Sequence, residues 1–108
     1  MTLDRVELGD PLGSYPGSVF FRCVMPDFTK NAFNVAHGGA LTTYVDIATT
    51  AALYAFDEKK RTNVSAKLDM EFMSASEIGQ EIEIESRINR IGKSLAFTEG
   101  SLTDYKTK

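Results

Sequence analysis

With 108 residues and a formal charge of −3, the chain has the size of one domain and the wrong charge balance for a protein that binds nucleic acid by neutralising phosphates. A hydrophobic content of 43% with only three prolines excludes a disordered or low-complexity chain. One cysteine, Cys23, and one histidine, His37, exclude an intrachain disulfide, a thiolate cluster and a multi-histidine centre, so no metal is expected.

The N-terminal residues include Asp4, Glu7 and Asp10 and lack the apolar run of an export signal, and no later stretch is long or continuous enough to cross a bilayer. The expectation is a soluble, non-membrane protein of the cytoplasm or, after loss of a presequence, of the mitochondrial matrix. Gly9 to Gly13 and Tyr15-Pro16-Gly17 are turn chemistry, and the aromatic and β-branched run Ser18 to Met25 predicts a strand closed by Pro26.

From about Gly39 to Phe56, Leu41, Val45, Ala48, Ala52 and Ala55 recur at steps of three and four and predict one face of a helix of about 17 residues. The opposite face carries Thr42, Thr43, Asp46, Thr49 and Thr50. Between Lys30 and Asp57, Asp46 is the single charged side chain, although 25% of the whole sequence is charged. A helix face of small neutral residues is ill suited to open solvent and predicts a second covering surface with room for a ligand or a partner.

Asp57 to Arg61 reads as a solvated loop. Strict alternation then predicts a strand over 63–72, with Val64, Ala66, Leu68, Met70 and Phe72 on one face and Asn63, Ser65, Lys67, Asp69 and Glu71 on the other. Glu77 to Gln80 predicts a turn and Glu81 to Ile91 a strand with Ile82, Ile84 and Ile88 inward. Gly92 permits a reversal, and Ser94 to Thr98 starts a further strand. This order implies an α+β fold, one long helix packed on one face of an antiparallel sheet.

Several residues in this frame have chemical uses. A glycine in the first turn of a helix, here Gly38, lets a carbonyl approach unpaired amides at the positive dipole end, though Gly-Gly also serves as plain loop geometry. His37 is either a helix cap or a polar contact to substrate. Asp46 is either a base or nucleophile in a partly dry setting or one half of an ion pair. Ser65 is an exposed hydroxyl or the orienter of a water. Arg90, Gly92, Lys93 and Ser94 surround a strand reversal that is either a solvated hairpin end or a phosphate seat.

Taken in order, Asn31, His37-Gly38-Gly39, Asp46, Val64-Ser65 and Gly92 to Thr98 resemble the hotdog-fold acyl-CoA thioesterases, and within them the branch of the phenylacetate-pathway and thioesterase superfamily member 2 enzymes, the acyl-CoA thioesterase 13 type. The resemblance covers about residues 17 to 105. It implies a single hotdog domain over 1–108, with an antiparallel sheet wrapped around one long central helix. Members normally carry one more strand beyond the segment Ser101 to Lys108, so the final family strand is expected to be missing from this sequence.

It further implies a homodimer with shared active sites, commonly a dimer of dimers, in which acyl-CoA is hydrolysed and no separate cofactor is needed because CoA is part of the substrate. Asp46 would activate water or attack the thioester directly, the Gly38 amide would hold the oxyanion, and Ser65 would orient the water. Asn31 and His37, from the neighbouring subunit, would position the thioester or the water. Arg90, Gly92 and Lys93, with Ser94 in the same turn, match CoA contacts, and Phe72 stands where the family has a tyrosine-type contact. The alternative is a non-catalytic acyl-CoA-binding or scaffold protein of the same fold. A hydratase of that fold is disfavoured because its histidine motifs do not occur here.

Overall fold

The computed structural model describes residues 1–10 and 15–107. Four strands, β1 (Thr2–Leu8), β2 (Gly17–Val24), β3 (Glu81–Ile91) and β4 (Ala96–Asp104), form one antiparallel sheet in the order β1-β2-β3-β4. The helix α1 (Gly38–Phe56) lies across one face of it. Among the described residues no helix is long and apolar enough to cross a membrane.

The core follows from two periods meeting. On β3, Ile82, Ile84, Ser86 and Ile88 point toward the helix and are fully buried, and across the ladder Val19, Phe21 and Cys23 of β2 stand beside Ser86, Ile84 and Ile82. The helix meets them with Leu41, Val45, Ala48 and Ala52. Small residues set how close the layers come: Gly100 pairs with Ser86 on β3, and a Cβ at Gly100 would lie 2.7 Å from Val45 Cγ1 and 3.2 Å from Thr49 Cγ2. Cys23 is half-buried, and burial pushes its thiol up, away from the reactive thiolate.

Four expectations need correction. The helical face is rotated: Ala55 is exposed, whereas Thr49 is buried and satisfies its hydroxyl on the Val45 carbonyl at 2.9 Å. Asp57 is not in a solvated loop; it is buried at the end of α1. β1 had no counterpart in the sequence reading, because a register shift between Leu3 and Arg5 breaks its alternation. The expected turn at Gly9 to Gly13 falls largely outside the described residues.

The fourth correction is the largest. Residues 63–72 form no strand, and among the described residues no backbone pairs with them. An alternating pattern supplies faces, but a strand also needs a neighbour for its N–H and C=O groups. The segment instead runs beside α1 with Val64 91% and Phe72 57% exposed, so the expected inward face is not buried in this chain.

Candidate active site

The segment entering α1 is built to fix its first turn. The Asn31 side-chain oxygen accepts from the amides of Phe33 (2.8 Å) and Val35 (3.3 Å), and Asn34 takes up the left-handed backbone with φ of 64° that asparagine tolerates. The amides of Ala36 and His37 then donate to Ser76 and Thr29 at 2.8 and 2.7 Å. His37 caps the helix: its Nδ1 accepts from the Gly39 amide at 2.9 Å, which leaves Nε2 on the exposed side of the ring.

With Gly39 bonded to the cap side chain, and Ala40 and Leu41 bonded to the His37 carbonyl at 2.9 and 3.2 Å, one first-turn amide is left over. The Gly38 N–H donates to none of the described residues. It sits at the positive end of the helix dipole, and the Phe72 ring lies 3.4 Å from where a Cβ of residue 38 would stand. Phe72, expected as a contact in place of a tyrosine, therefore flanks the free amide.

Two turns on, Asp46 is half-buried and forms no ion pair with a cation among the described residues. Its Oδ1 accepts from the Ser65 hydroxyl at 2.5 Å, a short charge-assisted bond, and Oδ2 has no described partner. The neighbouring hydroxyls do not compete for it. Thr42 and Thr43 donate to the Gly38 and Gly39 carbonyls at 2.9 and 2.8 Å, so this stripe presents methyl groups.

The expected site residues are not all brought together. Asp46 and Ser65 touch, and Gly38 touches Phe72, but Asn31 and His37 bond within their own loop and reach neither Asp46 nor Ser65. Gly38 and Asp46 are separated by eight helical positions, about 12 Å of rise at 1.5 Å per residue. A carbonyl under attack lies about 3 Å from both attacker and oxyanion donor, so an Asp46 that attacks directly is too far along the helix from the Gly38 amide of its own chain to share one carbonyl with it. Two surface depressions lie away from these groups, one lined by Glu85, Arg87, Glu99 and Ser101 and one by Leu3, Arg22, Cys23 and Glu81.

Arg90, Lys93 and Ser94 are exposed around the β3–β4 reversal, where the Gly92 amide donates to the Leu95 carbonyl at 2.8 Å. A Cβ at Gly92 would lie 2.7 Å from that carbonyl oxygen, which accounts for glycine there. The sequence reading missed what holds this reversal. Arg61 donates to the carbonyls of Lys93 (2.6 Å) and Gly92 (3.4 Å), and its Nε bonds Asp57 at 3.0 Å. The spacing of Asp57 and Arg61, four residues apart, was the available signal.

The sequence profile of the thioesterase superfamily matches residues 33–108, which contain every expected site residue except Asn31. The chain belongs to the thioesterase superfamily. Within it, the chain is similar to human acyl-coenzyme A thioesterase 13, with 34% identity over 92 residues, 85% of this chain and 65% of that protein. It thus spans about two thirds of the length of the curated relative. Among solved structures, zebrafish thioesterase superfamily member 2 superposes with a TM-score of 0.78 at 28% identity, over 88% of this chain and 68% of that one. The mouse thioesterase superfamily member 2 structure gives 0.76 at 29%, over 94% and 71%. The fold of this superfamily member is the hotdog, one long helix against an antiparallel sheet.

Proposed function

We propose that this protein hydrolyses acyl-CoA thioesters to the free acid and CoA. The observation that carries the reading is the pair of polar groups left open on one helix: an oxygen of Asp46 that no described residue occupies and a Gly38 amide without an acceptor. Folding tends to pair such groups, and a carbonyl under attack needs both kinds, a base or nucleophile on one side and a donor for its developing negative oxygen on the other. Ser65, bonded to Asp46, orients the carboxylate and the water it activates.

Because the Gly38 amide and Asp46 of one chain are eight helical positions apart, the reading includes a homodimer in which the Gly38 amide, with Asn31 and His37, comes from one copy and Asp46 with Ser65 from the other. Large apolar side chains support a second copy there: Phe33 (85%), Val64 (91%) and Met73 (86%) are exposed in the single chain. CoA then runs toward Arg90, Gly92, Lys93 and Ser94. The names of the similar proteins agree with an acyl-CoA substrate, and a further pairing of dimers is compatible with the exposed apolar surface.

The test is a free-thiol assay on acyl-CoA esters of graded chain length, with Asp46→Asn as the decisive variant. Turnover should fall by at least about 100-fold while the far-UV spectrum and melting temperature hold. Undiminished turnover in that variant removes Asp46 from the reaction. Calorimetric binding of CoA without hydrolysis of any ester selects the non-catalytic binding protein instead.

A further inference from the structure

We infer that Arg61 is a positioning residue for coenzyme A, holding the Gly92–Ser94 reversal in the one orientation that offers amides to a phosphate; this rests on the acyl-CoA reading above. The guanidinium is shared between two elements. Towards the helix end, Nε and one terminal nitrogen bond the two oxygens of Asp57 at 3.0 and 3.3 Å. Towards the hairpin, the terminal nitrogens reach the carbonyls of Lys93 at 2.6 Å and Gly92 at 3.4 Å.

Asp57 is itself fixed. It is 6% exposed, and it also accepts from the backbone amides of Lys59 (3.1 Å) and Arg61 (3.2 Å). The arginine is therefore clamped on a rigid base before it reaches the turn. Four of its five N–H donors are used in these bonds, which leaves little with which to grip a ligand directly.

The consequence follows from peptide geometry. Each trans peptide points its C=O and N–H in opposite directions, and no described peptide bond is cis. With the carbonyls of Gly92 and Lys93 drawn onto Arg61, the N–H groups of Lys93 and Ser94 face away from it. Neither amide donates to another described residue. These two unpaired amides, with the Lys93 ammonium and the Ser94 hydroxyl, put four donors on the side of the turn away from Arg61, where an anionic oxygen can accept. Loss of Arg61 would free both peptides to turn over.

The test compares Arg61→Ala and Arg61→Lys against the unmutated protein by calorimetry with CoA and with pantetheine, which lacks the phosphates. Both variants should bind CoA about tenfold more weakly, because lysine keeps the charge but cannot span a carboxylate and two carbonyls, while pantetheine affinity stays unchanged. In hydrolysis of acyl-CoA the effect should appear in KM with kcat within about twofold. In the unmutated protein, CoA should shift the amide resonances of Lys93 and Ser94 and pantetheine should not, a readout independent of whether the variants fold. Unshifted amides, unchanged CoA affinity in Arg61→Ala, or full rescue by Arg61→Lys overturns the inference. Since binding and shifts need no turnover, a protein that shows them without hydrolysis contradicts the thioesterase reading alone.

Discussion

At the C-terminal end of α1, Asp57, Lys60 and Arg61 spend nearly every donor and acceptor they have on the helix end and the neighbouring hairpin, whereas toward the N-terminal end the Gly38 amide and one oxygen of Asp46 meet no partner among the described residues. The two regions lie at opposite ends of one helix. What separates them is completeness. At the closed end the polar groups serve the fold, and removing one affects stability or the shape of a turn. At the open end the Gly38 amide and the second Asp46 oxygen bond none of the described residues, so removing one should leave the fold standing and take the chemistry away.

Gly38→Pro puts the open end to the hardest trial. Proline is well tolerated at the first position of a helix, His37 already has the extended backbone (φ −65°, ψ 137°) that a following proline requires, and the added Cβ would meet the Phe72 ring at an ordinary 3.4 Å. The substitution thus deletes one N–H and little else. We expect kcat to fall by about 100- to 1,000-fold, the usual effect of losing an oxyanion donor, with an unchanged melting temperature. Unchanged kcat would place the oxyanion elsewhere.

Ser65→Ala is the milder lesion. Removing the 2.5 Å bond to Asp46 should lower kcat by roughly tenfold, with KM little affected. A loss as deep as that of Asp46→Asn would make Ser65 a reacting group and not an orienter. On the sheet side of the same helix, Gly100→Ala should be destabilising by about 1 to 3 kcal/mol in urea unfolding, because its Cβ would press on Val45 and Thr49. A neutral result there would show that the layers can separate without cost.

The closed end makes a prediction about acid. The Arg61 guanidinium, with the amides of Lys59 and Arg61, holds the Asp57 carboxyl at about 2 in place of its usual 3.8. A depressed carboxylate binds fewer protons folded than unfolded, so its contribution to stability is complete above about pH 4 and is lost as the pH falls through 2. Asp57→Asn should flatten that part of the stability profile as followed by chemical denaturation. A variant with the same acid slope as the parent would assign the loss to other carboxylates.

Much of this was legible in the sequence where local pattern and tertiary demand agree. The isoleucine alternation of 81–91 gave β3 to the residue, and the three-and-four spacing gave α1 within one residue of its start. Asp46 stood out because its neighbours are uncharged. The failures have physical causes. β1 hides behind a bulge, and 63–72 carries a perfect period but has no partner strand among the described residues. Thr49 was assigned to the polar face because its type, not its ability to bond the carbonyl four residues back, was weighed. The Asp57–Arg61 pair has a local signal in its four-residue spacing, but its reach to the carbonyls of Gly92 and Lys93 has none, because they lie more than thirty residues away.

The division of the site between two copies of the chain is best tested with a hybrid dimer of Gly38→Pro and Asp46→Asn subunits, co-expressed with different tags and purified through both. Each parent homodimer should be nearly inactive. In a two-fold dimer with shared sites the hybrid carries both lesions in one site and neither in the other, so it should recover about half the activity of the unmutated dimer. A hybrid as inactive as its parents would show that attacker and oxyanion donor belong to the same chain and would contradict the account.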